Sequence, residues 1–207
     1  QEDENGVMRL SQSDDATAQR AKEAYDKMQA LYPTLTAGYG PTKQLWLSHY
    51  LSYTKITGFF FPFTVEANVN NDVPDYSIPS TMCHELSHMR GYMREEEANF
   101  IAYLVCMSSG DQELMYSGTM LAFVYAGNAL SEVSRADYTD VFRTLGEGVQ
   151  RDIKANSEYW AQFEGPVAQA ASTMNDTYLK ANGQQYGVKS YGKVTDLLLS
   201  YYKQQTQ

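Results

Sequence analysis

Two histidines four positions apart and a glutamate directly after the first give the pattern His84-Glu85-x-x-His88. On an α-helix, residues i and i+4 stack on one face, so the two imidazoles can reach a single cation. Glu85 then lies about 100° round the helix, where a carboxylate can meet a metal-bound water without binding the metal. Catalytic zinc takes neutral imidazole or carboxylate ligands and keeps one position open for water. The metal acidifies that water, and Glu85 is placed to take its proton as general base. The pattern therefore predicts a metallopeptidase site holding one Zn2+. The plainer reading, polar residues on an amphipathic helix, sits badly with histidine usage, because the chain has three histidines and two are here.

A catalytic zinc site usually draws three ligands from the protein. Gly91 follows His88 by three positions and can end the helix and reverse the chain. The next helix opens with Glu95-Glu96-Glu97-Ala98-Asn99. Any of the three acids suits a helix N-terminus through the macrodipole, so the residues downstream must discriminate. Glu95, Ala98, Ala102 and Cys106 share one face, whose small residues allow close approach to the His84 helix. Glu97 shares a face with Ile101 and Val105, which reads as core, and Glu96 leads to Phe100 and Tyr103. Glu95 is the predicted third ligand and Glu97 the fallback. Asn99, one turn on, is placed to orient a histidine.

These side chains need a frame. Pro79-Ser80 marks the start of the His84 helix. Ahead of it the texture is β-branched and aromatic: Thr54, Ile56 and Thr57, then Gly58 through Val65. That predicts strands broken at Gly58 and Pro62, with Pro62 marking an edge strand or bulge. An edge close to the metal helix can take an extended peptide by β-augmentation, which nominates Phe63, Thr64 and Glu66 as substrate-binding residues. Residues 1–12 are polar and read as a disordered linker, and residues 13–207 read as one domain. Ser13 can cap a helix running to about Leu31, Pro33 stops it, and Pro41 can open a short helix through about His49. His49 itself reads as structural.

Beyond Asn99 the pattern is helical almost throughout, over 95–109, 111–130, 134–145, 147–162, 166–181 and 189–203, with punctuation at Gly110, Gly146, Gly165-Pro166 and Gly183. The expected class is α+β and mostly helical: a small sheet before the His84 helix and a helical C-terminal half. Arg143, Arg151 and Tyr125 are candidates to stabilise a transition state, although plain surface or core roles suffice for all three.

The 207 residues carry a net charge of −9, which argues against a nucleic-acid surface. The 17 tyrosines suit a peptide-binding groove or the core boundary. Cys83 and Cys106 fall inside predicted helices with apolar neighbours and read as buried free thiols. No run of 18 apolar residues and no leader pattern occurs, so any membrane contact is expected only through segments outside this chain.

Several stretches together resemble one bacterial family, domain-of-unknown-function family 3810. They are Ile56-Thr57-Gly58, Phe61-Pro62-Phe63-Thr64-x-Glu66-Ala67-Asn68-Val69-Asn70, His84-Glu85-Leu86-Ser87-His88-x-x-Gly91 and Arg94-Glu95-x-Glu97-Ala98-Asn99-Phe100. Tyr116-Ser117-Gly118 and the C-terminal Tyr178 to Gln184 and Gly187 to Gly192 stretches complete the set. The resemblance covers the chain from about Tyr39 to Tyr202. It implies a zincin-like domain on the extracellular face of the bacterial cytoplasmic membrane, anchored by transmembrane helices ahead of it. On that expectation the abrupt polar start is a cut within a longer protein. Glu95-x-x-Ala98-Asn99 is also similar to the Glu-x-x-Ala-Asp segment of membrane-anchored gluzincin peptidases, whose glutamate is the third zinc ligand. By that match Glu95 is again the ligand, while Asn99 stands where those enzymes carry Asp.

Two classes of function follow. The first is a gluzincin-like zinc metallopeptidase acting on a peptide or protein substrate. The second is a non-catalytic zinc-binding sensor or interaction domain that keeps the fold. Glu85 favours the first, because a purely structural site has no use for it and usually takes four protein ligands. A hydrolase of non-peptide amides is a third, weaker option.

Overall fold

The computed structural model describes residues 1–36, 38–181 and 191–206. The chain is α+β and mostly helical. Helix α1 (Asp14–Gln29) leads to the short strand β1 (Lys43–Gln44), helix α2 (Ser48–Ser52) and strands β2 (Gly58–Phe61) and β3 (Glu66–Val69). A 3-10 turn (Asp75–Ser77) runs into α3 (Ile78–Met89), which carries the histidine pair. Then come α4 (Glu95–Ser108), α5 (Gln112–Val133), α6 (Arg135–Thr144), α7 (Glu147–Ala161), α8 (Pro166–Ala181) and α9 (Tyr191–Gln205).

Local sequence accounts for the main boundaries. Ser13 caps α1 by accepting a hydrogen bond from the Ala16 amide, and Asp14 and Asp15 suit the positive helix end. Pro79 fits the first turn of α3, where its missing N–H is no loss. At the other end Gly91 takes φ +88, and the Gly91 and Tyr92 amides bond back to the His88 and Ser87 carbonyls. This is the Schellman ending that glycine favours.

Among the described residues three strands form one sheet in the order β1-β3-β2. Strand β3 is central, parallel to β1 and antiparallel to β2, with Gly58 opposite Val69 and Phe61 opposite Glu66. Pro62 lies in the turn of the β2–β3 hairpin, and β2 is an edge strand as its proline suggested. Two expectations upstream fail. Thr54–Thr57 is not strand: α2 ends through Lys55 at φ +59, with the Ile56 amide bonded to the Leu51 carbonyl. The helix expected from Pro41 is displaced as well, because Lys43 and Gln44 take the open side of β3 and α2 starts only at Ser48.

Helix α3 sits at the centre. Ile78, Met82, Cys83 and Leu86 are fully buried against Ala21 and Tyr25 of α1, Ala67 and Val69 of β3, and Ala102, Val105 and Cys106 of α4. Burying each large apolar side chain contributes about 1.5–3 kcal/mol. Buried polar bonds fix the helix further. The Tyr25 hydroxyl donates to the Cys83 carbonyl at 2.7 Å and meets the Ser87 hydroxyl, and the Arg90 guanidinium lies 4.1 Å from the Tyr25 ring centre. Cys83 and Cys106 are free and buried, with their sulfurs 3.6 Å apart.

The first dozen residues correct the expectation of a disordered linker. The Met8, Leu10 and Ser11 amides donate to the carboxylates of Asp152, Asp75 and Glu113 at 2.8, 2.9 and 2.8 Å. A polar segment with few apolar residues is held here by backbone donors to distant acids, which no local pattern reveals. No described helix is long and apolar enough to cross a membrane. Of the C-terminal motifs in the family resemblance, residues 182–190 lie outside the described residues, as do Gly183 and the first part of the helix expected from 189.

Candidate metal centre

One turn of α3 brings His84 and His88 together with their Nε2 atoms 3.0 Å apart. The glycine turn at Gly91 then swings the chain so that α4 begins opposite them. Glu95 Oε2 lies 3.3 Å from His84 Nε2, and Glu95 Oε1 lies 3.5 Å from His88 Nε2. Among the described residues these three form the one group of such side chains able to hold a metal ion. Glu97 is half-buried, stands outside that group and pairs with Arg94 at 3.6 Å. The choice between the two acids falls on Glu95, because Ala98, Ala102 and Cys106 on its face are fully buried in the approach to α3.

The outer nitrogens fix the tautomers. His84 Nδ1 bonds to Asn99 Oδ1 at 3.0 Å, while the Asn99 amide donates to the Glu95 carbonyl at 2.8 Å. His88 Nδ1 bonds to the Tyr92 carbonyl at 2.8 Å. Both partners are acceptors, so both Nδ1 atoms carry a proton, and in the neutral rings that a metal binds both Nε2 atoms present lone pairs inward. Two lone pairs and a carboxylate facing one another within 3.0–3.5 Å repel unless a cation or a proton lies between them. Donors about 2.1 Å from a tetrahedral zinc would stand roughly 3.4 Å from each other. The residues present fit such an ion.

Titration behaviour follows from the same crowding. Burial pulls the His84 imidazolium down, but the Glu95 hydrogen bond, the charges of Glu85 and Glu95 and the Asn99 bond raise it to about 9. Burial pushes Glu95 up, yet its bonds from His84 and His88 hold it well below the usual carboxylate range. Glu85 is 3% exposed and its Oε2 has no hydrogen-bond partner. Burial lifts its carboxyl to about 7 against the pull of His84 and His88. Its other oxygen lies against Gly58 of β2, where a Cβ would stand 2.6 Å from Oε1.

A cavity of about 400 Å³ opens beside His84 and Glu95, between the first turns of α3, the middle of α5 and the C-terminal part of α7. Thr57 at the start of β2 reaches it, and so does Tyr125. Phe63, Thr64 and Glu66 do not line it. Phe63 is 88% exposed, and Thr64 bonds Glu66, which pairs with Lys43. The β2–β3 register puts these three at the turn, at the opposite end of β2 from Gly58 and Glu85. Arg143 and Arg151 also lie elsewhere, paired with Asp140 and with Glu2 and Glu147. His49 bonds Asp72 at 2.9 Å on the surface.

Sequence reasoning missed Gly58 as a neighbour of Glu85, the Tyr92 carbonyl, and the cavity wall from α5 and α7. Gly58 was visible only as a strand breaker, and a backbone carbonyl leaves no mark in residue types. No curated protein and no solved structure matches the chain. One family model does, over residues 2–199, so the chain that builds this centre belongs to the protein family of unknown function DUF3810.

Proposed function

We propose that the chain is a zinc-dependent metallopeptidase with a zincin-like fold of the gluzincin type. The observation that carries the proposal is the inward set of acceptors on His84, His88 and Glu95, with the buried, partly unpartnered carboxyl of Glu85 on the same helix. A divalent ion held by those three residues would acidify water and polarise the scissile carbonyl. Glu85, raised to about 7, is suited to take a proton at neutral pH and give it back. It removes a proton from the attacking water as the new C–O bond forms, and delivers it to the departing amine as the C–N bond breaks. Asn99 and Tyr92 hold the imidazoles in the tautomer that leaves Nε2 free to bind. Strand β2, with a neighbour on one side only among the described residues, offers its open edge to an extended peptide or protein substrate. The order of small sheet, histidine helix, glycine turn and glutamate helix supports the zincin-like reading. The family resemblance supports an extracellular, membrane-anchored setting.

The test is metal content of the purified chain, followed by cleavage of a peptide library by wild type and Glu85→Gln. About one equivalent of zinc in both proteins, with cleavage by wild type alone, is the expected result. Equal cleavage by Glu85→Gln would sink the catalytic assignment. Zinc without cleavage by either protein would favour the sensor or interaction domain.

A further inference from the structure

The cavity beside the metal ligands has a composition that discriminates between substrates. Its apolar wall is Met120, Leu121 and Val124 of α5 with Trp160 of α7. The charged residues that line it are Lys55, His84 and Glu95. Glu95 is engaged by both imidazoles. Lys55 reaches the cavity, but its ammonium donates to the Trp160 carbonyl at 2.8 Å and pairs with Glu164 at 2.7 Å. A cationic side chain entering here would therefore lose water and find no available carboxylate among the described lining residues. An anionic one would meet a lysine already neutralised and the carboxylate of Glu95. An uncharged apolar side chain would exchange water for the Met120, Leu121, Val124 and Trp160 surfaces. The volume, about 400 Å³, is at the small end for ligand pockets, suiting one side chain and its backbone rather than a folded partner.

We propose that this cavity is the specificity pocket of the site and takes one uncharged, apolar residue adjacent to the bond that is cut. The proposal rests on the metallopeptidase reading for its position beside the scissile bond. It names the substrate class of that site: peptides carrying a leucine- or phenylalanine-like side chain there, and not lysine, arginine, aspartate or glutamate. Val124 sits on the cavity wall and is half-buried, and Asn128, one turn further along α5, lines the cavity from an exposed position. Neither belongs to the metal or proton-transfer set.

The experiment uses peptidyl hydroxamates, which bind through the metal, with leucyl, lysyl or aspartyl side chains. Their affinities for the zinc-loaded chain are measured by calorimetry, alongside acetohydroxamate as a probe without a side chain. The leucyl compound should bind about 10–100-fold tighter than the lysyl and aspartyl ones. Val124→Asp should reverse the penalty against lysine, read as the ratio of lysyl to leucyl affinity in the same variant. Asn128→Asp, a near-isosteric change at an exposed position, should do the same more weakly and guards against a folding defect in the first variant. Affinities that agree within about twofold across the three side chains would overturn the pocket assignment, as would a lysine penalty that neither variant changes. Cleavage of peptides without side-chain selectivity would remove the pocket and leave the peptidase. Selective hydroxamate binding without cleavage of any peptide would remove the peptidase and leave the pocket.

Discussion

Replacing Asn99 tests whether the centre depends on its supporting hydrogen bonds. Asn99 is 6% exposed, so water cannot readily take its place. Its Oδ1 accepts from His84 Nδ1 at 3.0 Å, and its amide donates to the Glu95 carbonyl at 2.8 Å. Asn99→Ala leaves a buried N–H on His84 unsatisfied, which costs about 1–3 kcal/mol. It also frees the imidazole to place its proton on Nε2, where it blocks the metal. The energy corresponds to about 5–150-fold in affinity, matching the roughly 10–100-fold losses typical of partners that orient metal-bound histidines. Asn99→Asp works in two directions. A carboxylate is the stronger acceptor for His84 Nδ1–H, by about 1 kcal/mol over a neutral one. It cannot donate to the Glu95 carbonyl, however, and sets an oxygen against an oxygen at the start of α4. The two effects nearly cancel, so the aspartate variant should bind zinc within about tenfold of wild type. Zinc affinity is read by competition with a chelator at pH 7.5, with circular dichroism confirming that the helices persist. If Asn99→Ala bound zinc within about twofold of wild type, the orienting role would be refuted.

Three further outcomes follow from the same geometry. Gly58→Ala puts a Cβ 2.6 Å from Glu85 Oε1 and 3.0 Å from the Asn68 carbonyl, so Glu85 must swing aside. Turnover should fall about 10²-fold with zinc stoichiometry intact, and loss of zinc together with activity would disprove a role through Glu85. His84 is raised to about 9, so below that pH metal uptake must expel its proton. Zinc affinity should climb about tenfold per pH unit between pH 7 and 9 and then level off, and calorimetry in two buffers of different ionisation heat should show proton release. A flat profile would contradict the shift. The same sign fixes the metal-free chain: the His84 contribution to stability is whole below pH 6.5 and lost as pH rises through about 9. Ala102, fully buried where α4 meets α3, leaves no room for a larger side chain. Ala102→Leu should cost about 1–3 kcal/mol and lower Tm by several degrees, and an unchanged melting curve would show that the interface is looser than this packing.

The parts of the centre legible in the sequence are those whose geometry is local. His84 and His88 meet because four residues make one helical turn, and Gly91 reverses the chain because it alone tolerates φ +88 cheaply. The preference for Glu95 over Glu97 was legible too, since Ala98 and Ala102 announce a face meant for close packing. The breaks at Gly110, Gly146 and Gly165-Pro166 are legible for the same reason, while the α5–α6 break falls at Ser134, which caps α6 with its side chain. What failed was long-range. Phe63, Thr64 and Glu66 belong to a strand edge that the sequence sets just ahead of the His84 helix, but the β2–β3 register carries them to the far end of the hairpin. The N-terminal segment looked disordered because its partners, Asp75, Glu113 and Asp152, lie 65, 102 and 144 positions away.

The same division explains why recognising the motif stops short of explaining reactivity. His84-Glu85-x-x-His88 says that two imidazoles and a carboxyl share a helix, but not which nitrogen of either ring is free. That depends on one side-chain oxygen from α4 and one backbone carbonyl past the glycine turn, at Asn99 and Tyr92. If either acceptor were a donor, the ring beside it would turn its N–H inward and the centre would repel a cation with its ligands all present. Glu85 likewise acquires its raised pKa from burial beneath β2, where Gly58 makes the room. Residue types and spacing therefore select the chemistry, while contacts from outside the motif decide whether those groups are in the protonation state that the chemistry needs.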